Sequence, residues 1–255
     1  MKALNHVTHG TVYLGRNRGF NPRALSLTSY AKSSAMDYPP VIAWERLIAW
    51  LMLGNDAVGD CVIARLLHQI MAWYAVANAG QLKTFTTDQA IQIYSAITGY
   101  VPGDPSTDNG TDPDAACTYW KNNGIFGDKI AGYANVDITN IDLIRASMFL
   151  FGGVGFALEV PAYVMNVPAG GDWSEPSGSV DTTIEGGHEV YLVGYGRKGF
   201  RCVSWGSTYT FNPDFLGKYG QNIDAVVSTD WIKQDGVSPS GLDIKGLLAD
   251  LTTNS

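Results

Sequence analysis

Gly54-Asn55-Asp56-Ala57-Val58-Gly59-Asp60-Cys61-Val62-Ile63-Ala64-Arg65-Leu66-Leu67-His68-Gln69-Ile70 is the stretch on which the fold turns. Its first seven residues are rich in Gly, Asn and Asp and read as a turn. From Cys61 the pattern changes: Val62, Ile63, Leu66, Leu67, Ile70, Trp73, Tyr74 and Ala77 recur at spacings of three and four, and Gly80 supplies a stop. The spacing predicts an amphipathic helix opening at Cys61, whose sulfur then sits at the positive end of the helix dipole. Such a position is expected to lower a thiol pKa.

Upstream, residues 1 to about 45 are interrupted by Gly10, Gly15, Gly19, Pro22, Pro39 and Pro40, with short apolar pieces such as Val12-Tyr13-Leu14, and read as an extended arm. Val41 to Leu53 reads as a short helix or buried segment. Downstream, capping side chains and terminal glycines predict helices from Thr87 to Gly99, Asp114 to Asn123 and Asn140 to Phe151. Beyond Gly152-Gly153 the character switches, and Gly155–Val160, Glu189–Gly194, Phe200–Trp205 and Ala225–Ser228 read as strands. Helices followed by strands indicate an α+β chain in three parts: an arm and lead-in over 1–53, a helical lobe over 54–152 carrying the cysteine, and a strand-rich lobe over 153–255. A cleft between lobes is the natural place for a site.

Composition narrows the function classes. With 255 residues, 45% hydrophobic and 16% charged, the chain can bury a substantial core. A formal charge of −7 and the lack of a Lys/Arg cluster argue against nucleic acid and against anionic membrane surfaces. No apolar run is long enough for a membrane span, and Met1 to Gly10 is too polar for a secretory signal, so the chain is expected to be cytoplasmic as synthesised. Three scattered cysteines, Cys61, Cys117 and Cys202, fit neither a disulfide framework nor a zinc site, and no metal or cofactor is expected.

His188 is the one histidine in the strand-rich half; it follows Glu185-Gly186-Gly187 and leads into Glu189-Val190-Tyr191-Leu192-Val193-Gly194-Tyr195-Gly196. If the lobes meet, Cys61 and His188 can form a thiolate–imidazolium pair across the cleft. Gly59-x-Cys61, Gly186-Gly187-His188-x-Val190-x-x-Val193-Gly194-Tyr195-Gly196 and Ser204-Trp205-Gly206 together resemble the papain family of cysteine peptidases. In that family the histidine lies about 130–150 residues beyond the cysteine. Asn109-Gly110, Ala115, Tyr119, Gly124-Ile125 and Tyr133 resemble its central helix and the turn after it, so the likeness runs in order from Gly54 to Phe215. The resemblance implies a two-lobed papain-like fold with a helical N-terminal lobe and an antiparallel, β-barrel-like C-terminal lobe.

The resemblance also implies roles. Cys61 is the nucleophile and His188 the general base, then acid. Asn55 falls where the family has its oxyanion-hole glutamine, and Ser204 takes the place of the asparagine that orients the histidine. Gly59, Asp60, Gly187 and Trp205 line the cleft, with Trp205 shielding the His188 contact from water. The departures are Asp60 beside the thiol, the shorter Asn55 and the missing asparagine; too few residues precede Cys61 for a propeptide of the family's type. The expected function is a peptidase or amide hydrolase acting on a peptide or protein substrate, with acyl transfer by the same nucleophile left open. The pattern G-N-D-x-x-G-D-C also resembles uncharacterised papain-like proteins of phages and bacteria. The alternative is accordingly a weak or inactive papain-fold component, virion-associated and binding protein partners through the arm.

Other polar residues read as structural. His68 is expected to pack mid-helix, Glu189 to face solvent opposite Val190, and Asp104, Asp108, Asp112 and Asp114 to form a solvated turn with a helix cap. Tyr163 to Trp173 reads as a loop or a cleft wall.

Overall fold

The helix opening at Cys61 organises the molecule. A computed structural model describes residues 2–6, 10–17, 25–30, 38–77, 82–228, 246–247 and 249–250. In it α1 spans Cys61–Ala77, and Leu66, Leu67, Ile70 and Met71 are wholly buried. The helical stop expected at Gly80 lies outside the described residues. Next come α2 (Thr87–Thr98), set by a reciprocal Thr86–Gln89 capping box, and α3 (Pro113–Asn123), capped by the Asp112 carboxylate. Both pack on α1, and the Trp73 and Trp120 rings stack at 5.4 Å.

The sheet is made from β5 (Gly132–Val136), β6 (Val154–Pro161), β7 (Ile184–Gly196), β8 (Gly199–Ser204), β9 (Ser207–Phe211) and β10 (Gly220–Val227). Two short pieces of the arm join it: β3 (Leu25–Ser26) lies parallel to β5, and β4 (Ile42–Ala43) pairs with β7. The order is β3-β5-β10-β6-β7-β8-β9, and all other pairings are antiparallel. The β-barrel-like closure expected for the C-terminal lobe does not occur among the described residues, where β3 and β9 end the path at opposite edges. The physical reason lies on β7. Its Val190 and Leu192 join the core under α4 (Ile141–Phe151) and α5 (Pro213–Tyr219), while Tyr191 and Val193 pack against Ala72 of α1. A sheet with helices on both faces has no interior to close around.

This arrangement also revises local expectations. Val41 to Leu53 is not a helix: after β4 a single 3-10 turn, Trp44–Leu47, leads into loop, leaving Val41, Leu47 and Leu51 exposed. Trp173 belongs to the core rather than to a cleft wall, its ring stacked on Tyr209 at 4.7 Å.

Candidate active site

Cys61 is held by the turn before it. Gly54 has φ +98°, and a Cβ there would lie 2.4 Å from Asp60 Oδ2, so only glycine fits. The Asp60 carbonyl accepts the Ala64 N–H at 2.9 Å and begins α1, while its carboxyl takes a hydrogen bond from Asn55 Nδ2 at 3.3 Å. Burial pushes the Asp60 carboxyl well above the usual range, which disfavours a negative charge beside the sulfur. Gly59 N–H donates to Asp108 at 3.2 Å, and Asp108 also accepts from Tyr94 Oη at 2.6 Å. Asp108 is therefore buried, not part of a solvated turn; only Asp104 and Asp112 have the expected capping roles.

His188 sits on β7 opposite Leu158 of β6. Its Nε2 is 2.8 Å from Ser204 Oγ, at the end of β8, and its ring stacks on Trp205 with centroids 4.8 Å apart and planes at 22°. Trp205 adopts φ 47°, a left-handed conformation unusual for a bulky residue, in the turn that carries the indole across the imidazole. Nδ1 has no hydrogen-bond partner among the described residues. The next residue, Glu189, is buried rather than solvent-facing, because α1 covers that face of β7. A backbone hydrogen bond from Glu189 reaches the Cys61 sulfur. The structure thus seats the start of α1 against the strand residue beside His188.

Residues 13–17, from the end of β2 (Gly10–Leu14, paired antiparallel with β1, Lys2–His6) onward, pass over this junction. Tyr13 N–H donates to Asn55 O at 3.0 Å, Thr111 N–H to Gly15 O at 2.8 Å, Arg16 N–H to Gly187 O at 3.2 Å and Asn17 N–H to Thr111 O at 2.9 Å. A backbone hydrogen bond from Gly15 also reaches Cys61. The fit depends on missing side chains. A Cβ on Gly15 would stand 1.9 Å from Gly59 O, one on Gly110 2.1 Å from Gly15 O, and one on Gly187 2.7 Å from Arg16 O. Residues 13–17 thus lie across the site and cover it.

Covering decides the electrostatics. Cys61 is 1% and His188 0% exposed. Burial pushes the thiol up to about 12, outweighing the two backbone N–H groups directed at it. Burial, helped by the Arg16 charge, holds His188 down at about 3. The lowered thiol pKa expected from the helix start is therefore reversed in this closed arrangement, and both groups are neutral. Sequence reasoning missed Gly15, Arg16 and Asp108 because their roles arise from contacts across long stretches of chain; Gly15 and Gly110 signalled only turns. Among the described residues no cluster of three or more His, Cys, Asp or Glu is placed to hold a metal ion, and no helix is long and apolar enough to cross a membrane.

No protein-family model and no curated protein matches the chain. Solved structures do. Xylellain, a cysteine protease from Xylella fastidiosa, aligns over 90% of this chain and 99% of its own at 16% identity and TM-score 0.54. The Carica candamarcensis cysteine protease CMS1MS2, in complex with E-64, aligns over 75% and 99% at 17% identity and TM-score 0.53. Procathepsin L2 of Tenebrio molitor larval midgut aligns over 76% and 70% at 16% identity and TM-score 0.54. At such identities likeness speaks for architecture, and together with an N-terminal helix docked on a histidine-bearing sheet it makes the fold of this chain papain-like.

Proposed function

We propose that the chain is a cysteine peptidase or amide hydrolase whose own residues 13–17 keep it closed. The observation that carries this reading is the extended backbone of that segment, bonded main chain to main chain with Asn55, Thr111 and Gly187 across Cys61. A groove that holds one extended peptide by its backbone suits a peptide substrate.

With the segment displaced, water lowers the cost of charge on both groups. His188 Nδ1, which has no other partner among the described residues, takes the proton from Cys61 Sγ, and the thiolate attacks the substrate carbonyl carbon. The oxyanion accepts from the Cys61 backbone N–H and from Asn55 Nδ2, an amide with a second N–H beyond the one given to Asp60. His188 returns its proton to the leaving amine, and water then releases the acyl group by the reverse sequence. Ser204 bonds Nε2 and Trp205 covers the ring, which fixes the imidazole orientation.

The same burial favours a second reading, a papain-fold binding component whose site stays shut. The similar structures named above are proteases of a bacterium, a plant and an insect, and give a particle-borne role no support. The test is turnover of a broad peptide library by the full chain, by its Gly15→Ala form and by each with Cys61→Ser. Hydrolysis that appears or rises with Gly15→Ala and disappears with Cys61→Ser supports the peptidase. No turnover by any form, with Cys61 alkylated readily in the Gly15→Ala protein, overturns it in favour of the binding component.

A further inference from the structure

Below Cys61, one helical turn on, lies a charged cluster that the proposed chemistry does not use. Arg65 shares a helix face with Cys61 and its side chain is 1% exposed. Its Nε lies 3.8 Å from Glu189 Oε1 on β7, and its Nη2 bonds the Asp224 carboxylate and, at 3.3 Å, the Asp224 carbonyl on β10. On β6, between these strands, Gly155 is bare because a Cβ there would stand 2.2 Å from Arg65 Nη2. Cys117 of α3 lies 3.9 Å from Asp224 Oδ2. One guanidinium thus locks into three adjacent strands at the middle of the sheet.

Such a cluster is a poor way to gain stability. Desolvating three ionisable groups offsets most of their attraction, and apolar residues of the same volume serve as well or better. Neither Glu189 oxygen has a hydrogen-bond partner among the described residues. Burial and Asp224 push Glu189 up to about 8, against the pull of Arg65 and Arg16, with Asp114 adding to the rise. What the cluster does supply is a fixed rotation and height of α1 on β7. Glu189 follows His188 in the chain, and its backbone hydrogen-bonds the Cys61 sulfur.

Resting on the reading of Cys61 and His188 as the reacting pair, we propose that Arg65 is a positioning residue for that pair, setting the first turn of α1 against β7 through Glu189 and Asp224. Arg65→Lys keeps the charge and loses the planar fork, so it separates position from charge. The variants are Arg65→Lys, Glu189→Gln and His188→Ala, each in the full chain with and without Gly15→Ala. The measurement is the rate of Cys61 alkylation by iodoacetamide against pH, mapped to Cys61 by mass spectrometry, beside denaturant unfolding of the same samples. Glu189→Gln keeps a hydrogen-bonding side chain and guards against failure of Arg65→Lys to fold.

The expected result in the Gly15→Ala background is an acid limb of the profile set by His188, lost in His188→Ala. In Arg65→Lys that limb moves toward the isolated-thiol range with the rate at neutral pH down about tenfold, and Glu189→Gln moves it in the same direction by less. Folded Arg65→Lys and Glu189→Gln proteins with unaltered profiles overturn the positioning role and leave the Cys–His reading standing. A profile that His188→Ala does not change overturns that reading, and the positioning role with it.

Discussion

The two halves of the site are buried by different means. His188 is oriented by fixed architecture, a strand partner at Leu158, the Ser204 hydroxyl and the stacked Trp205 indole, with Arg16 of the crossing segment adding its charge. Cys61 is enclosed by a segment from far away in the sequence, bonded to it through Gly15 and to the walls at Asn55, Thr111 and Gly187. The imidazole is thus oriented whether or not the cover is in place, whereas the thiol changes environment when the cover leaves. On the proposed reading, one half holds geometry and the other the switch in reactivity.

The sharpest way to break this contrast is at the sulfur. In the Gly15→Ala protein, Cys61→Ser is expected to remove hydrolysis by about 10³-fold or more while unfolding stability stays close to its parent. Residual turnover of similar size would move the nucleophile elsewhere. Gly15→Ala itself puts a methyl within 1.9 Å of Gly59 O, which the cover cannot accommodate without lifting. A thiol released from about 12 toward the ordinary value gains roughly three orders of magnitude in thiolate at pH 7, so Cys61 alkylation should rise by about that factor. An unchanged rate would show that Cys61 is buried by its own lobe and not by the cover.

The histidine half makes a prediction on stability. Folded His188 and His68 are neutral, held down at about 3 and about 4, and the unfolded chain takes up their protons below about 6.5. Stability is therefore lost as pH falls from about 6.5 toward those values, by up to roughly 5 kcal/mol for His188 and roughly 3 kcal/mol for His68. Denaturant titrations at pH 7, 5.5 and 4 should record the loss, and the His188 share should shrink in Gly15→Ala, where Arg16 and the rest of the cover no longer oppose charge on the ring, while the His68 share persists. An unchanged His188 share on opening would mean that Trp205 and Ser204 bury the ring without help from the cover. The smallest effect is Ser204→Ala, expected to slow Cys61 alkylation in the opened protein about tenfold at a cost of about 1 kcal/mol in stability. No change in rate would leave Trp205 alone to orient the ring.

What the sequence disclosed was local. The helix from Cys61 shows in its spacing of three and four, α2 to α4 in their capping residues, and the His188 strand in its bracketing glycines. Ser204, which the family resemblance set in the place of the histidine-orienting asparagine, lies at hydrogen-bond distance from Nε2. The hidden parts depend on what lies opposite. Glu189 alternates away from Val190 as a surface residue would, and is buried because α1 occupies that side with Arg65. Asp108 is one of several loop acids, and only the approach of Gly59 and Tyr94 distinguishes it. The open sheet was illegible for a similar reason: alternation tells that a strand is half buried, not whether its sheet curls on itself or lies between helices.

The route of residues 13–17 has a consequence for how the chain acquires its structure. Arg16 bonds Leu158, 142 positions away, and Gly187, while Tyr13, Gly15 and Asn17 bond Asn55 and Thr111, and these partners belong to segments that must already be together. Closing loops of that length costs entropy that is repaid only once the receiving surfaces exist. Seating of the cover is therefore a late event, after α1 has docked on β7. Each newly made molecule is then expected to pass through an interval in which the Cys61 side of the site faces solvent, and the rate of this last closure sets how long an uncovered thiol coexists with still-unfolded copies of the same chain.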